Sequence, residues 1–178
     1  MKSTLVALAI ATLSGSAMAQ SVNQFYGEAL YDTVTIKDTS TDDLGTTKPK
    51  AGRLTVGTVV MDNLAVEGSF LVGMGSATAS NNSDVSIKIK NGYSIALRPF
   101  INVTPELELF GRVGKAHTKT EWQAGVDSGS DSQTDTIYGA GLAYKVSNDV
   151  RAVLDYTKSP EKDGSKVSRI GVGVRFNF

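Results

Sequence analysis

Val167-Ser-Arg-Ile-Gly-Val-Gly-Val-Arg-Phe-Asn-Phe178 decides how this chain folds. Alternate side chains of a β-strand point to opposite faces. On one face lie Ser168, Ile170, Val172, Val174, Phe176 and Phe178. On the other lie Val167, Arg169, Gly171, Gly173, Arg175 and Asn177. One face is wholly apolar after Ser168, and the other is small or charged. No helical period produces that split.

The same division recurs upstream. It is read in 52–60, 64–75, 85–98, 106–114, 136–146 and 150–156, and less clearly in 24–36, where Glu28 is placed on the polar side. With the terminal stretch this makes eight strands. Long polar connections at 37–50, 76–84, 118–133 and 158–166 alternate with short ones at 61–63, 99–105 and 147–149. An up-and-down meander puts all long connections at one end and all short ones at the other. A membrane strand needs about 9–11 residues, so eight of them fit. The expected fold is all-β: an eight-stranded antiparallel up-and-down transmembrane barrel.

Alternation alone does not say which face is wet, because a soluble sandwich alternates too. The non-apolar face favours the inverted arrangement. It is rich in Gly, Ala, Ser and Thr, and carries Glu28, Arg53, Glu67, Lys88, Lys90, Arg98, Glu108, Arg112, Arg151, Asp155, Arg169 and Arg175. Small residues with opposite charges suit a narrow barrel interior. An eight-stranded barrel is just wide enough for side chains to fill. Buried charges require partners, so Glu28, Glu67, Glu108 and Asp155 are expected to pair with several of the basic residues, and the lumen to be plugged rather than open. Aromatics near strand ends (Phe25, Tyr31, Tyr144, Tyr156, Phe176, Phe178) fit interfacial girdles.

Composition narrows the function. Lys plus Arg and Asp plus Glu number 18 each, so no basic excess points to nucleic acid. The absence of cysteine excludes disulfides and thiolate metal sites. One histidine, His117, excludes sites built on several imidazoles. Residues 1–19 read as a cleaved secretory signal, with Lys2, an apolar run from Leu5 to Leu13 and Ala17-Met-Ala19 before the cut. The barrel domain is then 20–178. Export and no helical anchor are expected.

The leader, the eight strands, the alternation of short turns and long loops, and the ending Arg169-Ile-Gly-Val-Gly-Val-Arg-Phe-Asn-Phe178 together resemble the OmpA/OmpX-type small outer-membrane barrels. Thr104-Pro-Glu-Leu-Glu-Leu-Phe-Gly-Arg-Val-Gly114 looks like that family's turn-to-strand passage. The resemblance implies a location in the outer membrane of a Gram-negative cell, with periplasmic termini. It also implies contact with outer-membrane lipids and lipopolysaccharide, and insertion by the barrel-assembly machinery. Gly173, Phe176 and Phe178 match the family's C-terminal assembly signal; Gly171 stands where a polar residue is usual.

The functional expectation is a structural, surface-display protein. It acts as a monomer whose extracellular loops bind a ligand or another surface, with no catalytic site, cofactor or metal. A narrow solute or ion pore is the alternative. An outer-membrane lipid-modifying enzyme and a soluble periplasmic ligand-binding barrel are further ones. His117 reads as a polar rim residue, since no serine and acid share its face for nucleophilic catalysis. Asp127, Asp131 and Asp135 read as a solvated flexible loop, as does Asp42-Asp43; their spacing is not that of a calcium loop. Trp122, in the third long loop, reads as an interface anchor or a partner contact.

Overall fold

The structure, a computed structural model, describes residues 22–38, 45–81, 84–161 and 164–178. The expected leader and Asp42-Asp43 lie outside the described residues. The described residues form ten strands: β1 (Phe25–Asp38), β2 (Thr46–Thr47), β3 (Lys50–Met61), β4 (Leu64–Gly73), β5 (Ser76–Thr78), β6 (Val85–Asn102), β7 (Leu107–Ala124), β8 (Asp127–Lys145), β9 (Val150–Lys158) and β10 (Ser165–Asn177). Eight of them form a closed antiparallel ring. Each pairs with its neighbours in chain order, and β10 returns to pair with β1 from Tyr26↔Asn177 to Asp38↔Ser165. The two short strands lie beside this ring, β2 on β1 and β5 on β6.

Closure pairs both edges of the strands at the level of β4 and β9, as an apolar surround demands; above Tyr138 the β8 edge has no pairing with β9 among the described residues. The ring's outer face is a belt of exposed Leu54, Val56, Ile95, Leu97, Ile170 and Val172. At the short-turn end the belt finishes in exposed Phe25, Tyr144, Phe176 and Phe178. The two ends of the ring meet there: Phe178 N donates to Phe25 O at 3.0 Å. The turns at that end are brief. Asn63 adopts φ 65°, a left-handed value that asparagine tolerates, and lets β3 reverse into β4. The Thr104 hydroxyl accepts from Leu107 N at 3.0 Å and Glu106 N at 3.2 Å, which folds the β6–β7 turn.

The strands are very unequal. β4 and β9 have 10 and 9 residues, whereas β6, β7 and β8 have 18, 18 and 19. At about 3.4 Å per residue the longer strands reach about 60 Å, twice a bilayer core. The expected loop at 118–133 is therefore corrected. Its residues continue β7 and β8 up to a two-residue turn, Gly125-Val126, in which Gly125 takes φ 59°. Thr, Ser and Gly alternate there without an apolar stripe, so the segment reads as loop. Pairing from Thr118↔Gln133 to Ala124↔Asp127 holds it as sheet. Asp127, Asp131 and Asp135 are thus strand residues, and Trp122 lies on β7 opposite Gly129. The stretch expected as a connection at 99–105 shortens in the same way, because β6 runs on to Asn102.

One irregularity has large consequences. In the β6–β7 ladder Ile89 opposes Thr120 and Asn91 opposes Lys119, so Lys90 is an extra residue without a counterpart. Such a bulge shifts the phase of alternation by one. Below it Gly92, Ala96 and Arg98 face inward; above it Ile89 faces inward and is fully buried. The expected interior placement of Lys88 and Lys90 is corrected accordingly, since both are exposed on the outer face. Lys90 there pairs with Glu121 at 2.7 Å.

Candidate functional site

Inward-facing residues of the ring divide into three layers. Nearest the short turns is an apolar plug of Tyr26, Leu30, Val59, Phe100, Phe110 and Val153 with Ala65 and Ala143. Above and among these lies an ionic network. Above that is an apolar zone built on Val34, Ala51, Leu71 and Ile89, with Ile36 and Val167 packed against it.

The network joins side chains from seven of the eight ring strands, all but β8. Arg175 of β10 gives Nη2 to Glu28 Oε1 at 2.6 Å and Nη1 to Glu108 Oε1 at 2.8 Å. Arg98 of β6 reaches Glu108 at 2.5 Å and Glu67 at 3.2 Å. Arg112 of β7 donates Nε to Glu67 Oε2 at 2.6 Å, reaches Glu28 at 3.3 Å and bonds Asp155. Arg53 of β3 bridges Asp32 at 3.0 Å and Asp155 at 2.7 Å. The Tyr26 hydroxyl donates to Glu67 at 2.8 Å. Two guanidiniums also lie on aromatic faces: Arg98 3.9 Å from the Phe110 centroid and Arg175 4.6 Å from that of Tyr26. Arg151 and Arg169 sit at the margins, 3.8 Å from Glu108 and 3.4 Å from Asp32.

Of the twelve charges expected inside, the structure brings ten together and leaves out Lys88 and Lys90. Sequence reading missed Asp32 and Tyr26. Both share the parity of Glu28 on β1, and that was the available signal. Six guanidiniums (Arg53, Arg98, Arg112, Arg151, Arg169, Arg175) face five carboxylates (Glu28, Asp32, Glu67, Glu108, Asp155). Most are fully buried, and the geometry of the set rests on small neighbours. A Cβ on Gly171 would sit 2.4 Å from Asp32 Oδ1 and 2.7 Å from Arg53 Nη2. Gly173 is needed for a different reason: a Cβ there would lie 2.0 Å from the Ala29 carbonyl oxygen of the next strand. Chemically the network is a lock. It cross-links opposite walls of the ring.

The outer surface offers other candidates. His117 faces outward, stacked on Tyr93 with centroids 5.1 Å apart, and its Nδ1 is 2.9 Å from Thr134 Oγ1. The first contact packs the ring against β6, and the second ties β7 to β8 across the outer face. Among the described residues no group of three or more histidine, aspartate or glutamate side chains is arranged to hold a metal ion. On the same outer face, beyond the apolar belt, Lys88, Lys90 and Lys119 project from β6 and β7 around Glu121, while Lys115 lies lower, opposite Ile95, and donates to Thr136 Oγ1 at 2.8 Å. Lys90 holds Glu121 through a hydrogen bond that lowers the carboxyl pKa below its usual value.

Comparison with known proteins adds three findings. The family model described as the outer membrane protein beta-barrel domain matches residues 5–178. No curated protein matches the chain. Among solved structures, the chain is similar to Ail, the attachment invasion locus protein of Yersinia pestis. The identity is 20% over 89% of this chain and 100% of Ail, with a TM-score of 0.64. It is similar to the N-terminal β-barrel domain of Pseudomonas aeruginosa OprF, at 18% identity over 89% and 100% of the two chains, with a TM-score of 0.66. Ail has also been crystallised with the heparin analogue sucrose octasulfate; that structure is 20% identical over the same shares, with a TM-score of 0.61.

Proposed function

The chain belongs to the outer membrane protein β-barrel domain family, and from that premise we propose that it is a closed membrane scaffold displaying a rigid three-stranded blade outside the cell. One observation carries this reading. The lumen is filled from wall to wall by an apolar plug and a locked ionic network, while β6, β7 and β8 run twice as long as a bilayer requires. Conduction needs a wet path, and interlocked buried charges at 2.5–2.8 Å leave none through this layer.

The blade presents a basic outer face, Lys88, Lys90 and Lys119, just beyond the apolar belt. Polyanions are the partners that face suits: the phosphates of lipopolysaccharide beside the barrel, or a sulfated glycan on another surface. The display places the short turns and both ends of the ring in the periplasm, after export and removal of residues 1–19. Gly173, Phe176 and Phe178 serve insertion by the assembly machinery; Phe176 and Phe178 face outward, where a receptor can read them.

Planar-bilayer recording from the purified full chain tests the scaffold reading. The expected result is no stable conductance. A large, steady conductance would replace the scaffold with a pore. Binding is read separately, as retention of the chain in nanodiscs on lipopolysaccharide- or heparin-coated surfaces. Lys88→Glu with Lys119→Glu is expected to weaken retention at least tenfold. Unchanged retention would remove the blade's basic face from the proposal.

A further inference from the structure

Above the ionic network the barrel encloses a cavity of about 340 Å³ that opens toward the blade. That volume is at the small end of the range for small-molecule sites, roughly 300–1,000 Å³. Its walls are unusual for the inside of a membrane barrel. Val34, Leu71, Ile87, Ile89, Ile137 and Val167 make them apolar. Arg169 forms part of the lining on the network side.

Arg169 and Arg151 are the two guanidiniums of the network held by a single long ion pair among the described residues, and of the two only Arg169 lines the cavity. Its Nε is buried without a hydrogen bond. Its one ion pair among the described residues is the 3.4 Å contact to Asp32, and Asp32 is already held by Arg53 at 3.0 Å. With six guanidiniums to five carboxylates, one positive charge is in excess, and Arg169 is the one that borders the cavity. A buried guanidinium short of acceptors gains from a carboxylate brought to it, because charge-assisted hydrogen bonds are the strong ones.

We propose that this cavity binds a small single-headed amphipathic carboxylate, with its head on Arg169 and its apolar body against Val34, Ile89, Ile137 and Val167. The remaining charges of the lining agree with a single head. Asp135, which accepts from Gln133 Nε2 at 2.9 Å, and Asp131, at the exposed mouth, would repel a second anionic group farther out. Lys158 borders the cavity, but its Nζ lies 5.1 Å from the Tyr138 ring centroid on the outer face. The proposal uses the closed floor of the lumen and is independent of what the blade binds.

The test is methyl NMR of the full chain in lipid nanodiscs, titrated with octanoate, octan-1-ol and octyltrimethylammonium. Octanoate is expected to shift the inward methyls of Ile89, Ile137, Val34 and Val167 saturably, while those of Ile95 and Ile170 on the lipid face stay still. Arg169→Gln should weaken octanoate at least tenfold and leave octanol unchanged; Arg169→Lys should restore part of the loss. If Arg169→Gln does not assemble, Ile137→Trp, which fills the cavity from its apolar side, must abolish the shifts. Three results overturn the proposal. Octanol binding as well as octanoate would leave Arg169 no role. A preference for octyltrimethylammonium would assign the site to Asp131 and Asp135. Shifts confined to Ile95 and Ile170 would mean partition into lipid only.

Discussion

The barrel below Lys90 and the blade above it are built from the same strands but obey opposite solvent rules. Below, the outer face is Leu97, Ile95 and Val113 and the inner face is Arg98, Arg112 and Glu67. Above, the outer face is Lys88, Lys119 and Glu121, and the inner face turns to Ile89 and Ile87. The lower part is a membrane barrel with a polar interior; in the upper part the outer face is charged, and the inner face carries Ile87 and Ile89 on β6 beside Thr118, Thr120 and Asp135 on β7 and β8. On β6 a single inserted residue makes the change, because a one-residue slip sends every later side chain to the other face. On β1 the change is made by composition alone: Asp32 gives way to Val34 and Ile36 at the same inward parity.

The largest expected effect breaks the lower part. Arg112→Met removes a guanidinium that serves Glu28, Glu67 and Asp155 at once. Leaving buried carboxylates short of a partner costs about 3–5 kcal/mol. The loss is measured as a drop in the urea midpoint for unfolding from lipid, read by the heat-dependent mobility shift on SDS gels. A change within experimental error would mean that water reaches these acids.

A matched pair of substitutions sharpens the comparison. Ile95→Lys places a charge on the lipid belt and is expected to cost about 2–4 kcal/mol. Lys119→Ile, at the same outward orientation but on the blade, is expected to stay within about 0.5 kcal/mol. Equal costs would erase the boundary between the two parts. Inserting one residue between Lys119 and Thr120 goes further, because it gives Lys90 a partner, removes the bulge and turns Ile89 outward. Exposing one buried isoleucine costs about 1.5–3 kcal/mol. The loss should be local: hydrogen exchange quickens along Val85–Ile89 and its partners on β7, and the ring below keeps its protection.

How far the sequence was legible follows this same boundary. Wherever lipid lies outside, alternation is strict, and the strands, their inward charges and the closing of the ring could be read from it. Glu67, Arg98, Arg112 and Arg175 are legible because each is the odd polar residue between apolar neighbours. Beyond the belt both faces meet water and the alternation fades. Thr118 to Gln133 then has the composition of a loop although cross-strand pairing makes it sheet. The bulge was hidden for another reason. Ile87, Lys88, Ile89 and Lys90 alternate as regularly as the residues below them, and nothing in their types marks where the phase breaks. Only the pairing partners Thr120 and Lys119 reveal it.

The smallest expected effect tests the wet side of that boundary. Glu121 lies on the outer face of β7 and accepts a hydrogen bond from Lys90 at 2.7 Å, which lowers its carboxyl pKa below the ordinary 4.5. A depressed pKa means that the pair adds stability above the unfolded value and loses it as pH falls through the folded one. The window therefore lies at and below about pH 4.5, and the gain is small because both side chains are exposed to screening water. Lys90→Gln keeps the bulge and removes the ammonium. In NMR titration the Glu121 carboxyl should then move up toward its ordinary value, and 1 M salt should produce part of the same rise in the unmodified protein. A Glu121 that titrates unchanged in Lys90→Gln would mean that the two side chains do not stay together in solution. The blade's outer face would then be a row of independent lysines rather than a fixed pattern of charge.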